Sequence, residues 1–259
     1  MRLAVVGCGT FGGILAAEAR SAGHAVIGLR RTPEPDPPCP MVHGDGADPA
    51  LLATLGVLDG VVLCANPGLR RGRDNGVAAI AAALADAFPD LPLIWTGTTA
   101  VYADAGGAAV DESGGLLDDP ASRGLLAIET AVHRHPRGLV LRAPALVGPA
   151  RTELRRRIAG AGPRMEVRGD PDRPFSVLHD RDLALVCLRA LTEGWSPGLL
   201  NAASPEALTL RDYYRLQASA IGVALPELVP VGAAPRRAID ARRLHARLPG
   251  VRFRGPLES

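Results

Sequence analysis

Residues 2–13 read RLAVVGCGTFGG: an unbroken apolar run, Leu3 to Val6, delivered into a turn that holds Gly7, Gly9 and Gly12 in G-x-G-x-x-G spacing. A continuous rather than alternating apolar run reads as a strand buried on both faces. The glycines that follow read as a strand-to-helix turn built around a phosphate. The first permits the tight turn, the second lets backbone approach a pyrophosphate, and the third lets helix and strand pack closely. Directly after a first strand, this pattern predicts a dinucleotide site in which Gly7, Gly9, Thr10, Phe11 and Gly12 contact the cofactor.

Outward from that turn, short apolar runs alternate with helical stretches. A helix over 12–22 is followed by AVIGL, a short run near Met41, a helix over 49–55 and VVLCA. Then come a helix over 74–88, LPLIWTG, a helix over 121–134 and GLVLRAP. This β/α alternation predicts an α/β fold: a Rossmann-type doubly wound parallel sheet with helices on both faces. Between the elements, RTPEPDPPCP (31–40) carries five prolines in ten residues and reads as a loop. After Pro144 the rhythm breaks into Arg- and Pro-rich segments, then resumes with FSVLH, a helix over 180–193 and the strand GLLNAAS. The expected division is a dinucleotide-binding domain over 1–145 and 175–201, with a small discontinuous substrate lobe over 146–174 and 202–259. Ala65 and Pro144, each closing one of the later strands, complete the expected cofactor-binding set.

Composition narrows the function classes. A net charge of +2 over 259 residues gives no sequence-blind grip on nucleic acid, and aromatic content of 3% supplies few rings on which bases could stack. Cys8, Cys39, Cys64 and Cys187 show no zinc-binding spacing, and His133 and His135 point to different sides of any helix, so no metal site is expected. No run of about 18 apolar residues occurs, and the glycines follow Met1 too soon for a signal peptide. The expectation is therefore a cytoplasmic chain, away from membranes, as monomer or homodimer. All 29 basic side chains are arginine. The absence of lysine excludes Schiff-base chemistry and a P-loop lysine.

Where an NAD enzyme places Asp or Glu at the end of the second strand, this chain has GLRRT (28–32). Arginine's planar fork suits a 2′-phosphate, so Arg30 and Arg31 point to NADP(H) over NAD(H). Asp45, in HGDG after the third short strand, stands where it could meet the adenine amino group.

Taken together, GCGTFGG, HGDGADP, TGTTAVYAD, LRAPALVGP, FSVLHDRDLA and GLLNAAS resemble the short-chain dehydrogenase/reductase superfamily, in its extended or atypical branch of NAD(P)-dependent epimerase/dehydratase-like proteins. The resemblance covers nearly the whole chain. It implies a Ser or Thr that orients a carbonyl, which falls on Thr98, and a Tyr-x-x-x-Lys pair that moves the proton. With Glu129 aligned to the glutamate that follows that pair, the Tyr position holds Ala121 and the Lys position Leu125, neither able to do acid-base work. Fold and cofactor carry over; the usual proton relay does not.

Three groups stand as replacements or helpers. Tyr102 could donate a proton if a cation such as Arg123 lowered its pKa, or could simply pack behind the strand. His179, between FSVL and Asp180, has a pKa in the working range. Thr99 could add a second hydroxyl to the substrate. The arginine clusters LRRGR, RTELRRR and RRAIDARRLHARL read as solvated faces, except that Arg151 and Arg155 could hold a substrate carboxylate or phosphate. The leading expectation is an NADP-dependent oxidoreductase acting on a carbonyl or alcohol of a small metabolite. The alternatives are a cofactor-retaining or non-redox epimerase, dehydratase, isomerase or cyclase, and a non-catalytic NADP(H)-binding sensor.

Overall fold

The computed structural model describes residues 1–258. The chain runs β1 (Arg2–Val6), α1 (Thr10–Ser21), β2 (Ala25–Arg30), β3 (Met41–His43), α2 (Pro49–Ala53), β4 (Gly60–Leu63), α3 (Val77–Ala87), β5 (Leu93–Thr98), β6 (Ala109–Val110), α4 (Pro120–His133) and β7 (Gly138–Ala143). It continues with β8 (Ala145–Val147), α5 (Glu153–Ala159), β9 (Arg164–Arg168), β10 (Val177–His179), α6 (Asp180–Thr192), β11 (Gly198–Asn201), α7 (Leu210–Ser219), β12 (Glu227–Val231), β13 (Ala238–Ile239) and α8 (Arg242–His245). Single 3-10 turns occupy Leu69–Arg71 and Thr99–Val101. Two compact units divide this chain: Met1–Val101 with Leu117–Arg142 and Leu183–Leu200, and Tyr102–Leu116 with Ala143–Asp182 and Asn201–Ser259.

The first unit is built on a seven-stranded sheet in the order β3-β2-β1-β4-β5-β7-β11. Every ladder from β3 to β5 is parallel. The order reverses between β1 and β4, which creates a crevice at their carboxyl ends, the place where doubly wound sheets bind ligands. β4 and β7 bury every residue, as strands covered on both faces must. Leu191 of α6 packs so closely on β4 that a side chain at Gly60 would strike it, and Ala4, Val5, Leu63, Ile94, Trp95 and Leu141 fill the core. Where β7 meets α4, Arg142 sends Nε to Glu129 Oε1 at 2.7 Å and Nη2 to Oε2 at 2.6 Å, a two-pronged ion pair with both side chains about 95% buried or more.

The second unit holds three two-stranded parallel ladders, β8 with β10, β9 with β12 and β6 with β13. Its core gathers Val147, Ile158, Met165, Val167, Val177, Leu210, Tyr213, Tyr214, Ala218 and Leu228. α7 opens with a reciprocal capping box between Thr209 and Asp212. The segment FSVLH contributes only β10, which pairs with β8 rather than joining the seven-stranded sheet. Its sequence is apolar enough for either position, and the neighbouring strand ALV, residues 145–147, decides between them.

Candidate functional site

The ladder registers gather the expected cofactor residues of the first unit at one edge of its sheet. Val6 lies opposite Leu29 and Leu63, and Arg30 opposite His43, so the turns after β1, β2, β3 and β4 open at the same end. Gly7 takes φ +85°, and a Cβ there would stand 2.3 Å from the backbone nitrogen of Ala65; only glycine satisfies both demands. A Cβ on Gly12 would meet Gly7 O at 2.7 Å, which is the close helix–strand packing expected of the third glycine. Gly9 differs: a Cβ there would meet nothing within 4 Å. As N-cap of α1 it offers no side-chain cap to the first N–H groups of the helix. An uncapped helix start beside an open glycine is a cradle of the kind a pyrophosphate fills, so these residues fit a dinucleotide.

Thr98 ends β5 at the same edge. Its Oγ1 accepts the backbone N–H of Ala100 at 3.1 Å, and among the described residues nothing accepts its own proton. The hydroxyl is thereby held with its donor side free, which suits a group that binds a substrate oxygen. Thr99 is buried. Asp45 folds back on the Ala47 N–H at 3.0 Å, an Asx turn that leaves Oδ2 for other donors. Arg31 is exposed, whereas Arg30 forms an ion pair with Glu34 inside the Pro-rich loop.

Around α4 the structure gives the surroundings of Arg123 and of the LRRGR cluster. Arg123 pairs with Asp118 at 2.7 Å, with both side chains largely in solvent, so its charge is already engaged at the surface. LRRGR is not a plain solvated face: Arg70 Nη1 reaches both oxygens of Asp119 at 2.9 Å, and its Nη2 reaches Ser122 Oγ at 2.6 Å and the carbonyl of Ala100. Asp119 is the N-cap of α4, its Oδ1 accepting from Ser122 N at 2.8 Å. The Arg70 guanidinium, helped by that backbone N–H, holds the Asp119 carboxyl down at about 2. Arg70 therefore ties the loop after β4 to the end of β5 and the start of α4, one residue beyond the peptide that holds Thr98. Nothing local in LRRGR signals a partner 49 residues away.

In the second unit the two proton-carrying candidates are engaged. Tyr102 is fully buried, and its hydroxyl donates to Asn201 Oδ1 at 2.7 Å. His179 is also fully buried: Nδ1 accepts the Arg181 N–H at 3.2 Å and Nε2 donates to the Glu258 carbonyl at 3.0 Å. Both ring nitrogens of His179 and the hydroxyl of Tyr102 are thus committed to internal hydrogen bonds. Pro144 and the two substrate candidates lie in this unit as well. Arg151 Nε stands 3.8 Å from Asp180 Oδ2, and Arg155 Nε donates to Gln217 Oε1 at 2.7 Å. Among the described residues no group of three or more His, Cys, Asp or Glu is placed to hold a metal ion, and no helix is long and apolar enough to cross a membrane.

No protein-family model matches the chain, and no curated protein matches its sequence. Solved structures do match its fold. A protein provisionally assigned as an epimerase, from Burkholderia cenocepacia J2315, superposes with a TM-score of 0.83 at 17% identity, covering 98% of this chain and 93% of that one. A dTDP-glucose 4,6-dehydratase from Bacillus anthracis, solved in complex with NAD, gives 0.80 at 17% identity, over 96% and 90%. A UDP-glucose 4-epimerase from Thermus thermophilus, also solved with NAD, gives 0.78 at 17% identity, over 95% and 92%. At these identities the likeness is one of fold: the chain has the Rossmann-type architecture that these epimerases and dehydratases share.

Proposed function

We propose that the chain is an NAD(P)-dependent enzyme acting at a carbonyl or alcohol carbon of a small metabolite. The observation that carries this reading is the turn at the sheet's switch point, where Gly7 and Gly12 are packed tight and Gly9 alone faces open space. Gly9, Thr10, Phe11 and Ala65 would hold the pyrophosphate side of the dinucleotide, and Asp45 its adenine. The bound dinucleotide would supply hydride chemistry. Thr98 would donate its unengaged hydroxyl proton to the substrate oxygen, orienting the reacting carbon. With no lysine in the chain and Tyr102 and His179 committed to internal bonds, the proton would be exchanged with solvent or the substrate itself. Within the second unit, the terminal nitrogens of Arg155 and Arg151 would receive a carboxylate or phosphate. The sugar-nucleotide enzymes that share the fold make a phosphorylated sugar the first class to try.

NADH or NADPH added to the purified protein should give a saturable nicotinamide fluorescence change. Net consumption of the reduced nucleotide with a carbonyl substrate supports an oxidoreductase, whereas conversion without net consumption supports an epimerase or dehydratase. Absence of any nucleotide signal would remove this reading. A second reading, a dinucleotide-binding protein without chemistry, is favoured by the saturated hydrogen bonds of Tyr102 and His179, and requires binding with no turnover on any substrate class.

A further inference from the structure

Of the four free thiols, Cys8 and Cys39 are the two whose sulfurs meet. Cys8 stands between Gly7 and Gly9, where its N–H donates to the Leu29 carbonyl of β2 at 3.1 Å. Cys39 lies near the end of the Pro-rich loop that leaves β2 and returns as β3. Its thiol donates to Met41 Sδ at 3.8 Å, and its sulfur accepts the Cys8 thiol. The three sulfurs thus form one chain from the glycine-rich turn to β3. Gly28 makes room for it: a Cβ there would stand 2.4 Å from Met41 Sδ and 3.1 Å from Cys39 Sγ.

The direction of that chain sets a nucleophile beside a resolving thiol. The Cys8 thiol, the Gly28 N–H and the Arg20 guanidinium all hold Cys39 down against the effect of burial. The same contact, then burial, pushes Cys8 up. Thiolate is the reactive form, so Cys39 attacks first and Cys8 second. Cys8 has no exposed surface, whereas Cys39 keeps 4% beneath a loop whose Pro37 and Pro40 are exposed. A loop without helix or strand opens at low cost, enough for an oxidant as small as hydrogen peroxide. Burial pushes the thiols of Cys64 and Cys187 up, so neither competes as nucleophile.

We propose that Cys8 and Cys39 form a reversible disulfide that fastens the Pro-rich loop to the glycine-rich turn and so couples hydroperoxides to the dinucleotide site. The Cys39 thiolate attacks one peroxide oxygen; the O–O bond breaks, and the departing hydroxide picks up the proton that Cys39 released, giving water and a sulfenic acid. The Cys8 sulfur then attacks Cys39 Sγ. The S–S bond forms, the S–O bond breaks, and the hydroxide leaves as a second water with the Cys8 proton. Two electrons pass from the thiols to the peroxide, and a small thiol reverses the bond by exchange. The coupling rests on the dinucleotide reading above. With Gly7 wedged against Ala65 and Gly12 against the Gly7 carbonyl, the turn has no slack, so drawing Cys8 into a covalent bond shifts the backbone between Gly7 and Gly9.

The test treats the wild-type protein, Cys8→Ala, Cys39→Ser and Cys64→Ala with hydrogen peroxide, after circular dichroism has shown each to be folded. Remaining thiols are alkylated under denaturing conditions, and arginine-specific digests are mapped by mass spectrometry. The wild type should yield one new product that joins peptide 3–20 to peptide 32–70 and disappears with dithiothreitol. The second peptide holds both Cys39 and Cys64, so Cys64→Ala should keep the link while Cys8→Ala and Cys39→Ser lack it. NADH, titrated by nicotinamide fluorescence, should bind the oxidised wild type about fivefold or more less tightly than the reduced. No link in the folded wild type, or a link kept by Cys39→Ser and lost by Cys64→Ala, overturns the disulfide. A link that leaves NADH affinity unchanged overturns the coupling. NADH failing to bind even the reduced protein overturns the dinucleotide reading and the coupling with it, while the link itself is still read by mass.

Discussion

Tyr102 donates its phenolic proton to Asn201 Oδ1 at 2.7 Å in an interior where neither side chain is exposed. The amide of Asn201 is spent as well, its Nδ2 donating to the carbonyls of Asp240 at 2.9 Å and Val110 at 3.2 Å. The pair thus joins three segments of the second unit. Tyr102→Phe removes the phenolic donor and leaves Asn201 Oδ1 buried and unsatisfied, which should cost about 1–3 kcal/mol in urea denaturation. Any turnover that the wild type shows should survive the change. A loss of turnover with folding intact would return Tyr102 to the proton path.

The Arg142–Glu129 pair should behave as buried ion pairs do when one partner is removed. Glu129→Ala removes the paired carboxylate from a guanidinium in the core and should cost about 3–5 kcal/mol of stability, measured by chemical denaturation. Replacing both partners, Arg142→Met with Glu129→Leu, should recover most of that loss, because two apolar side chains avoid the desolvation of both charges.

Both contacts join residues far apart in the chain. The turn after β1 was legible because its physics is local: three glycines within six residues set it, and unbroken apolar runs set the strands around it. The surroundings of Tyr102 and Arg70 were not, because their partners are distant in sequence. Tyr102 finds Asn201 across 99 residues, and Arg70 finds Asp119 across 49, inside a cluster whose composition reads as solvent-facing. Arg30 hides its partner for another reason. Its partner Glu34 lies only four residues away, but five prolines make the path of that loop unreadable from helical or strand spacing.

The Arg70–Asp119 contact has a pH signature. The folded carboxyl sits at about 2 against an ordinary 3.8, chiefly through the Arg70 guanidinium. A depressed carboxyl contributes stability that is complete above its unfolded value and is lost as pH falls through its folded value. Wild-type stability should therefore fall between about pH 4 and pH 2 with a component that Asp119→Asn lacks, since asparagine keeps the N-cap and drops the charge. Parallel stability–pH curves for the two proteins over that interval would show that Asp119 does not carry this linkage.

The three glycines of the first turn separate folding from binding. Gly7→Ala forces a Cβ against Ala65 at a positive φ, and Gly12→Ala drives one into the Gly7 carbonyl, so both should destabilise the first unit and lower its thermal midpoint. At Gly9 φ is −93°, outside the left-handed region that demands glycine, and there is open space around the added carbon. Gly9→Ala should therefore melt within a few degrees of the wild type. Its methyl group, however, would occupy the space in which backbone approaches a pyrophosphate, and nucleotide affinity should fall by at least about tenfold. Adenosine, which lacks the pyrophosphate, should lose far less. If Gly9→Ala binds NADH as the wild type does, the open space beside that glycine is not where the phosphates lie, and the cradle must be sought elsewhere along the carboxyl edge of the sheet.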